Sequence, residues 1–272
     1  MSDSEKTFVV TSTEQLWKGS TRRGFLKMLG VGGTIVLAPG LFQACDSYNQ
    51  VAPTGTTGGS ASLNLSNDIG ILNYAYALEQ LEAAFYTAVV GSAAFSSMTA
   101  EQKEVMNDLR NHEVIHREFL KAALGTSAIG ALSFNSAAVA STLTSPAVIL
   151  KNAEAFEDLG VSAYNGAGKY LKDAGYLTLA GKIVSVEARH AAAIRDIRDA
   201  LGGVTGTPAG TRFAGDDIIP ATGATAGLDV KLEPSAVLSR VGATGLLNTM
   251  VSIGTGPSGT ATPDAGPPSP TP

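Results

Sequence analysis

Glu113-Val114-Ile115-His116 recurs as Glu187-Ala188-Arg189-His190 in a chain of 272 residues that holds three histidines. Residues i and i+3 lie about one turn apart on one face of a helix, so each Glu-x-x-His aims a carboxylate and an imidazole into the same space. That is a ligand pair for a divalent metal. With twelve glutamates in the chain, a given histidine meets Glu at i−3 by accident about one time in twenty, and two of three do so roughly once in a hundred chains. The bland alternative is two solvated surface pairs, which would leave the neighbouring helices with no ligands to add.

Outward from the first motif, the chain reads as four helices. The first motif sits on a helix that opens with the capping-box pattern Thr99-Ala100-Glu101-Gln102 and ends at Gly125. Before it, Ser66, Asn67 or Asp68 caps a helix running to about Val90, ahead of Gly91. That helix is apolar nearly all round from Ile71 to Tyr86, so it belongs inside a bundle, where Glu79 and Glu82 need a reason to exist. After it, Ser145-Pro146 supplies an N-cap and N1 proline for a third helix to about Ala174, and Gly175 a tight reversal. The fourth helix carries the second motif and ends at Leu201-Gly202-Gly203. The connection from Thr126 to Ser145 is long enough to cross the length of a bundle. The expected fold class is therefore all-α: a four-helix bundle of two hairpins joined by one long crossover.

An internal repeat selects the remaining carboxylates. Ala77-Leu78-Glu79-x-Leu81 followed by Tyr86 aligns with Ala155-Phe156-Glu157-x-Leu159 followed by Tyr164, so the hairpins read as two copies of one half-site. Glu82 then matches Gly160 and Glu154 matches Tyr76, leaving Glu79 and Glu157 as the paired positions. Glu82 and Glu154, one turn away, are expected as extra ligands or outer partners. Tyr86 and Tyr164 lie on the same faces and can hydrogen-bond a ligand carboxylate, although a core tyrosine is the commoner meaning. His112 points about 100° away from Glu113 and reads as a surface residue, as do Glu101, Glu104 and Glu118. Four glutamates and two histidines make an oxygen-rich donor set that suits two iron or manganese ions better than zinc. Four carboxylates also balance two divalent charges, and without metal they would repel one another or protonate.

These residues carry a family resemblance. The first-helix run Leu78-Glu79-x-Leu81-Glu82-Ala83-x-Phe85-Tyr86 and the third-helix run Glu157-Asp158-x-Gly160-Val161-x-Ala163-Tyr164 resemble the ferritin-like superfamily, in particular exported bacterial ferritin-like domain proteins, some described as desiccation-related. Leu72-Asn73 with Glu79 and Tyr86 is similar to the first-helix pattern of bacterioferritins. The resemblance covers residues 66–203. It implies a di-iron centre, with manganese or a mixed Mn/Fe pair as alternatives, held by Glu79, Glu113, His116, Glu157, Glu187 and His190. The activity it implies is reaction with dioxygen or peroxide, of ferroxidase or oxidant-protecting type. Manganese catalase-like dismutation of peroxide, or a non-catalytic envelope or desiccation-stress role, are the alternatives.

The flanking segments address the protein. Ser20-Thr21-Arg22-Arg23-Gly24-Phe25-Leu26-Lys27 resembles the twin-arginine export signal, with a short, glycine-broken apolar run to Phe42 behind it. Leu41-Phe42-Gln43-Ala44-Cys45 resembles a lipoprotein processing site around the only cysteine, although Phe42 and Gln43 depart from its usual residues. Residues 1–45 are thus expected as a signal with lipidation at Cys45, and 46–65 as a flexible tether. Residues 204–254 read as an appendage with a short helix near Pro234 to Val241 and an apolar piece, Leu246 to Ile253. Residues 255–272, rich in Pro, Gly, Thr and Ser, read as disordered. The expected partners are the twin-arginine machinery and a membrane reached through the lipid, with a homodimer as the candidate assembly and the periplasm or cell envelope as the location. A net charge of −5 without a basic stripe argues against nucleic acid.

Overall fold

The computed structural model describes residues 59–199, 212–215 and 217–255. The signal, Cys45, most of the tether, the end of the fourth helix, residues 204–211 of the appendage and nearly all of the tail lie outside the described residues. Among the described residues no helix is long and apolar enough to cross a membrane.

Four long helices form the body: α1 (Asp68–Val90), α3 (Ala100–Leu124), α5 (Pro146–Ala167) and α6 (Ala174–Asp199), with short α2 (Ala93–Ser96) and α4 (Ser136–Ser141) in the connections. Helix α1 packs chiefly on α3, and α5 on α6, which makes the two expected hairpins. Their starts follow the capping chemistry. Asn67 accepts from the Gly70 amide, Thr99 and Gln102 form a reciprocal capping box, and Ser145 accepts from Val148 ahead of Pro146. Helix α1 is buried on nearly every side, as its unbroken apolar character requires.

Buried amides of α1 hold the long crossover down. Asn73 donates to the Ser127 carbonyl at 2.9 Å and accepts from the Ile129 amide at 2.7 Å, while Gln80 accepts from Leu132 at 2.9 Å. These bonds satisfy loop backbone groups that burial would otherwise leave unpaired.

The third helix ends earlier than expected. It stops at Ala167, a 3₁₀ turn covers Gly168–Tyr170, and the fourth begins at Ala174. Asp68 accepts the Lys172 and Asp173 amides at 2.8 and 2.9 Å, drawing that link out of the helical path; Gly175 lies inside α6. The appendage crosses the same region. Leu232 donates to the Ser162 carbonyl at 2.9 Å, and a Cβ on Gly166 would stand 1.7 Å from the Leu232 carbonyl oxygen, so the close approach requires glycine.

The chain ends of the described domain form a small sheet absent from the all-α expectation. Strand β1 (Ser60–Asn64) pairs in parallel with β2 (Met250–Thr255), Leu63 opposite Ile253. Residues 60–65, expected as tether, are therefore structured, and both Leu63 and Leu65 are buried in the core. Helix α7 (Pro234–Ala243) contributes Val237 and Val241 to that core.

Candidate metal centre

The four long helices bring all six sequence-selected ligands to one buried place. Glu79, Glu113, Glu157 and Glu187 have no exposed surface, and His190 is 4% exposed. Within each motif the i, i+3 pair faces together, His116 Nδ1 lying 3.4 Å from Glu113 and His190 Nδ1 3.6 Å from Glu187. Yet each imidazole is nearer the glutamate of the other motif. His116 Nδ1 is 2.9 Å from Glu187 Oε1, and His190 Nδ1 is 2.8 Å from Glu113 Oε1. Glu79 approaches His116 at 3.5 Å and Glu157 approaches His190 at 3.3 Å.

Two overlapping groups result: Glu79, Glu113, His116 and Glu187, and Glu113, Glu157, Glu187 and His190. Within each, one ligand atom per residue lies within 4.8 Å of all the others. Glu113 and Glu187 belong to both. Eight buried atoms here make no hydrogen bond of acceptable angle, the 2.8 and 2.9 Å imidazole–carboxylate approaches included: Glu79 Oε2, both oxygens of Glu113 and of Glu187, Glu157 Oε2, and Nδ1 of His116 and His190. Buried polar atoms are ordinarily paired, so this convergence of unpaired donors and acceptors fits a group that could hold a metal ion.

The electrostatics of the protein alone agree. Burial pushes Glu79 well up from the ordinary carboxylate range and Glu157 up to about 8, against the pull of the facing imidazoles. Burial acts the same way on Glu113, but His116 and His190 outweigh it and hold Glu113 down at about 2. Burial disfavours a charged imidazole, yet Glu113, Glu187 and Glu79 raise His116 to about 12, and Glu113, Glu157 and Glu187 raise His190 as well. Protons thus stand where cations fit, and metal uptake would release them.

Residues 67–200 match the family model for a ferritin-like domain. The bundle is a ferritin-like domain. The match starts at the N-cap of α1 and spans all four long helices. No curated protein matches the chain.

The other residues selected from the sequence have distinct places in the ferritin-like domain. Tyr86 donates to Glu157 and Tyr164 donates to Glu79, so each hairpin's tyrosine orients the other hairpin's glutamate. Glu82 is buried, and a Cβ on Gly160 would lie 3.0 Å from its Oε1 and 3.7 Å from Glu187 Oε2. Gly160 therefore leaves room for the carboxylate that the repeat lacks in the second half. Burial, then the charges of the four site glutamates, hold Glu82 well above the usual carboxylate range. Glu154 is engaged elsewhere. Its carboxylate pairs with Arg212 at 2.6 Å and Arg198 at 2.8 Å, and Arg212 also pairs with Asp217, so it anchors the segment after α6 instead of supporting the ligands.

His112 is the residue the sequence reading passed over. Its Nδ1 is 2.9 Å from Nε2 of His190, the rings stacking at 5.2 Å. The angle from Glu113 misled, since at 3.6 residues per turn His112 stands only about 40° from His116. The i, i+4 spacing of the two histidines was the available signal.

Proposed function

We propose that the ferritin-like domain holds a pair of iron ions and reacts with dioxygen or hydrogen peroxide, oxidising Fe(II) or removing oxidant. The carrying observation is the two four-ligand groups that share Glu113 and Glu187 and hold eight unpaired buried atoms. Four carboxylates and two imidazoles without a thiolate match the preference of iron or manganese, and their charge balances two divalent ions. When bound, such a pair supplies one electron from each ion to a shared oxidant.

The chain's own residues do the rest. Glu113 and Glu187 span the two halves, while Glu79 with His116 and Glu157 with His190 close the ends. Tyr86 and Tyr164 set the glutamate orientations through their hydroxyls. Nε2 of His190 faces Nδ1 of the exposed His112, which leaves Nδ1 of His190 free for a metal. Glu82, whose carboxyl burial and then the charges of the site glutamates hold well above the usual range, would be placed to hold a proton at the site.

We also propose that the domain works outside the cytoplasm on a lipid anchor. Arg22-Arg23 with its flanking residues and Ala44-Cys45 support this, and the twin-arginine route, which exports folded proteins, suits metal loading before export. The test is metal content and optical spectrum of the full chain beside His116→Ala and Glu187→Ala. Equal metal in all three removes the site. Manganese together with oxygen evolution from peroxide would replace the iron reading with a dismutase.

A further inference from the structure

At the end of the bundle where α1 and α6 begin and α3 and α5 end lies a cavity whose lining atoms are almost wholly apolar. Its position relative to the centre is set by helix geometry. Ala75, Leu120 and Ile183, which line it, stand four residues from Glu79, His116 and Glu187 respectively, one helical turn along the same faces. The third helix contributes Tyr164, which lines the cavity and donates its hydroxyl to Glu79. Phe119, 36% exposed, forms part of the outer rim. An apolar space therefore runs from the surface to the hydrogen-bonded shell of one half of the centre.

The space open to the centre of a water-sized sphere is about 20 Å³, where about 10–15 Å³ admits one water. It has room for a diatomic molecule. It does not suit a polar occupant, because hydrogen peroxide would exchange its hydrogen bonds to water for an apolar wall, a desolvation cost of about 1–3 kcal/mol per unpaired group on protein scales. Dry apolar cavities take up uncharged, polarisable gases instead.

We propose that this cavity is the access route and holding site for dioxygen, so that dioxygen and not peroxide is the oxidant the domain is built to receive. This rests on the reading of the centre as a redox-active di-iron site. With two ferrous ions held by the six ligands, the centre would supply the two electrons by which dioxygen, taking up two protons, leaves as hydrogen peroxide, both ions ending ferric. When peroxide is itself the oxidant, the two electrons and two protons break its O–O bond and give two waters.

The test begins without metal. Xenon pressure on the full chain should shift the methyl resonances of Ala75, Leu120 and Ile183 and leave those of Val237, in the other part of the core, unmoved. Ala180→Leu, placed on the half-buried wall, should abolish the xenon shifts; Ala123→Leu is the second variant should the first not fold. With ferrous iron loaded, either variant should slow oxidation by dioxygen by about tenfold while anaerobic oxidation by peroxide changes by less than about twofold. No xenon shift in the unaltered chain, or equal slowing with both oxidants, overturns this inference alone. A chain that takes up xenon yet oxidises no iron with either oxidant overturns the di-iron reading and this inference with it.

Discussion

Tyr86 on the first helix donates its hydroxyl hydrogen bond to Glu157 on the third, 71 residues away, and both side chains are fully buried. The reverse bond, Tyr164 to Glu79, makes the arrangement nearly two-fold. In Tyr86→Phe, Glu157 Oε1 loses this donor. Metal affinity at that half should fall about 10–100-fold, and the metal-free fold should lose about 1–3 kcal/mol for the unpaired oxygen. Calorimetric metal titration and denaturant unfolding measure the two effects separately.

Because Glu113 and Glu187 belong to both groups, they would serve both ions of the proposed pair, and the other four residues one ion each. Replacing a terminal residue, as in His116→Ala, should leave one ion bound per chain. Glu113→Gln should remove both ions at the same free-metal concentration. Elemental analysis after dialysis reads the stoichiometry, and equal loss from the two variants would contradict the bridging geometry.

His112→Ala removes the partner of His190 Nε2 without touching a carboxylate. Affinity should drop about 10–100-fold for the ion nearest His190 alone, giving a two-step titration where the unaltered chain has one. Because His112 is exposed, its loss should leave the melting temperature of the metal-free chain almost unchanged.

The Glu154 ion pairs set an acid limit on stability. Burial raises the carboxyl, but Arg212 and Arg198 outweigh it and hold Glu154 below its ordinary value of 4.5; Asp217 shares Arg212 and is lowered too, while burial raises nearby Asp158. For a lowered carboxylate the stabilisation is complete above about pH 4.5 and lost as pH falls through the folded-state value. Glu154→Gln should therefore cost about 1–3 kcal/mol at neutral pH and little at about pH 3, flattening the acid limb of the melting-temperature profile. A constant offset at both pH values would show that the ion pairs are not its source.

Much of the site was legible because its rules are local. Thr99 and Ser145 announce helix starts through caps that act within three residues, and the Tyr-bearing repeat picks Glu79 over Glu82 by position. The misreadings all involve partners far away in the chain. Glu154 has the spacing of an outer ligand, but Arg212 claims it; Ser60–Asn64 has the composition of a tether, but a strand some 190 residues later pairs with it. The third helix stops short because Asp68, over a hundred residues upstream, takes its following amides.

The sequence by itself determined which six side chains face inward and on which helices, because the 3.6-residue turn ties i to i+3 whatever surrounds it. Only the tertiary structure decided that Glu113 and Glu187 serve both halves, that His112 backs His190, and that an apolar space opens one turn from the ligands. Those relations depend on how far each helix is rotated and shifted against its neighbours, and side-chain packing across the whole bundle sets that.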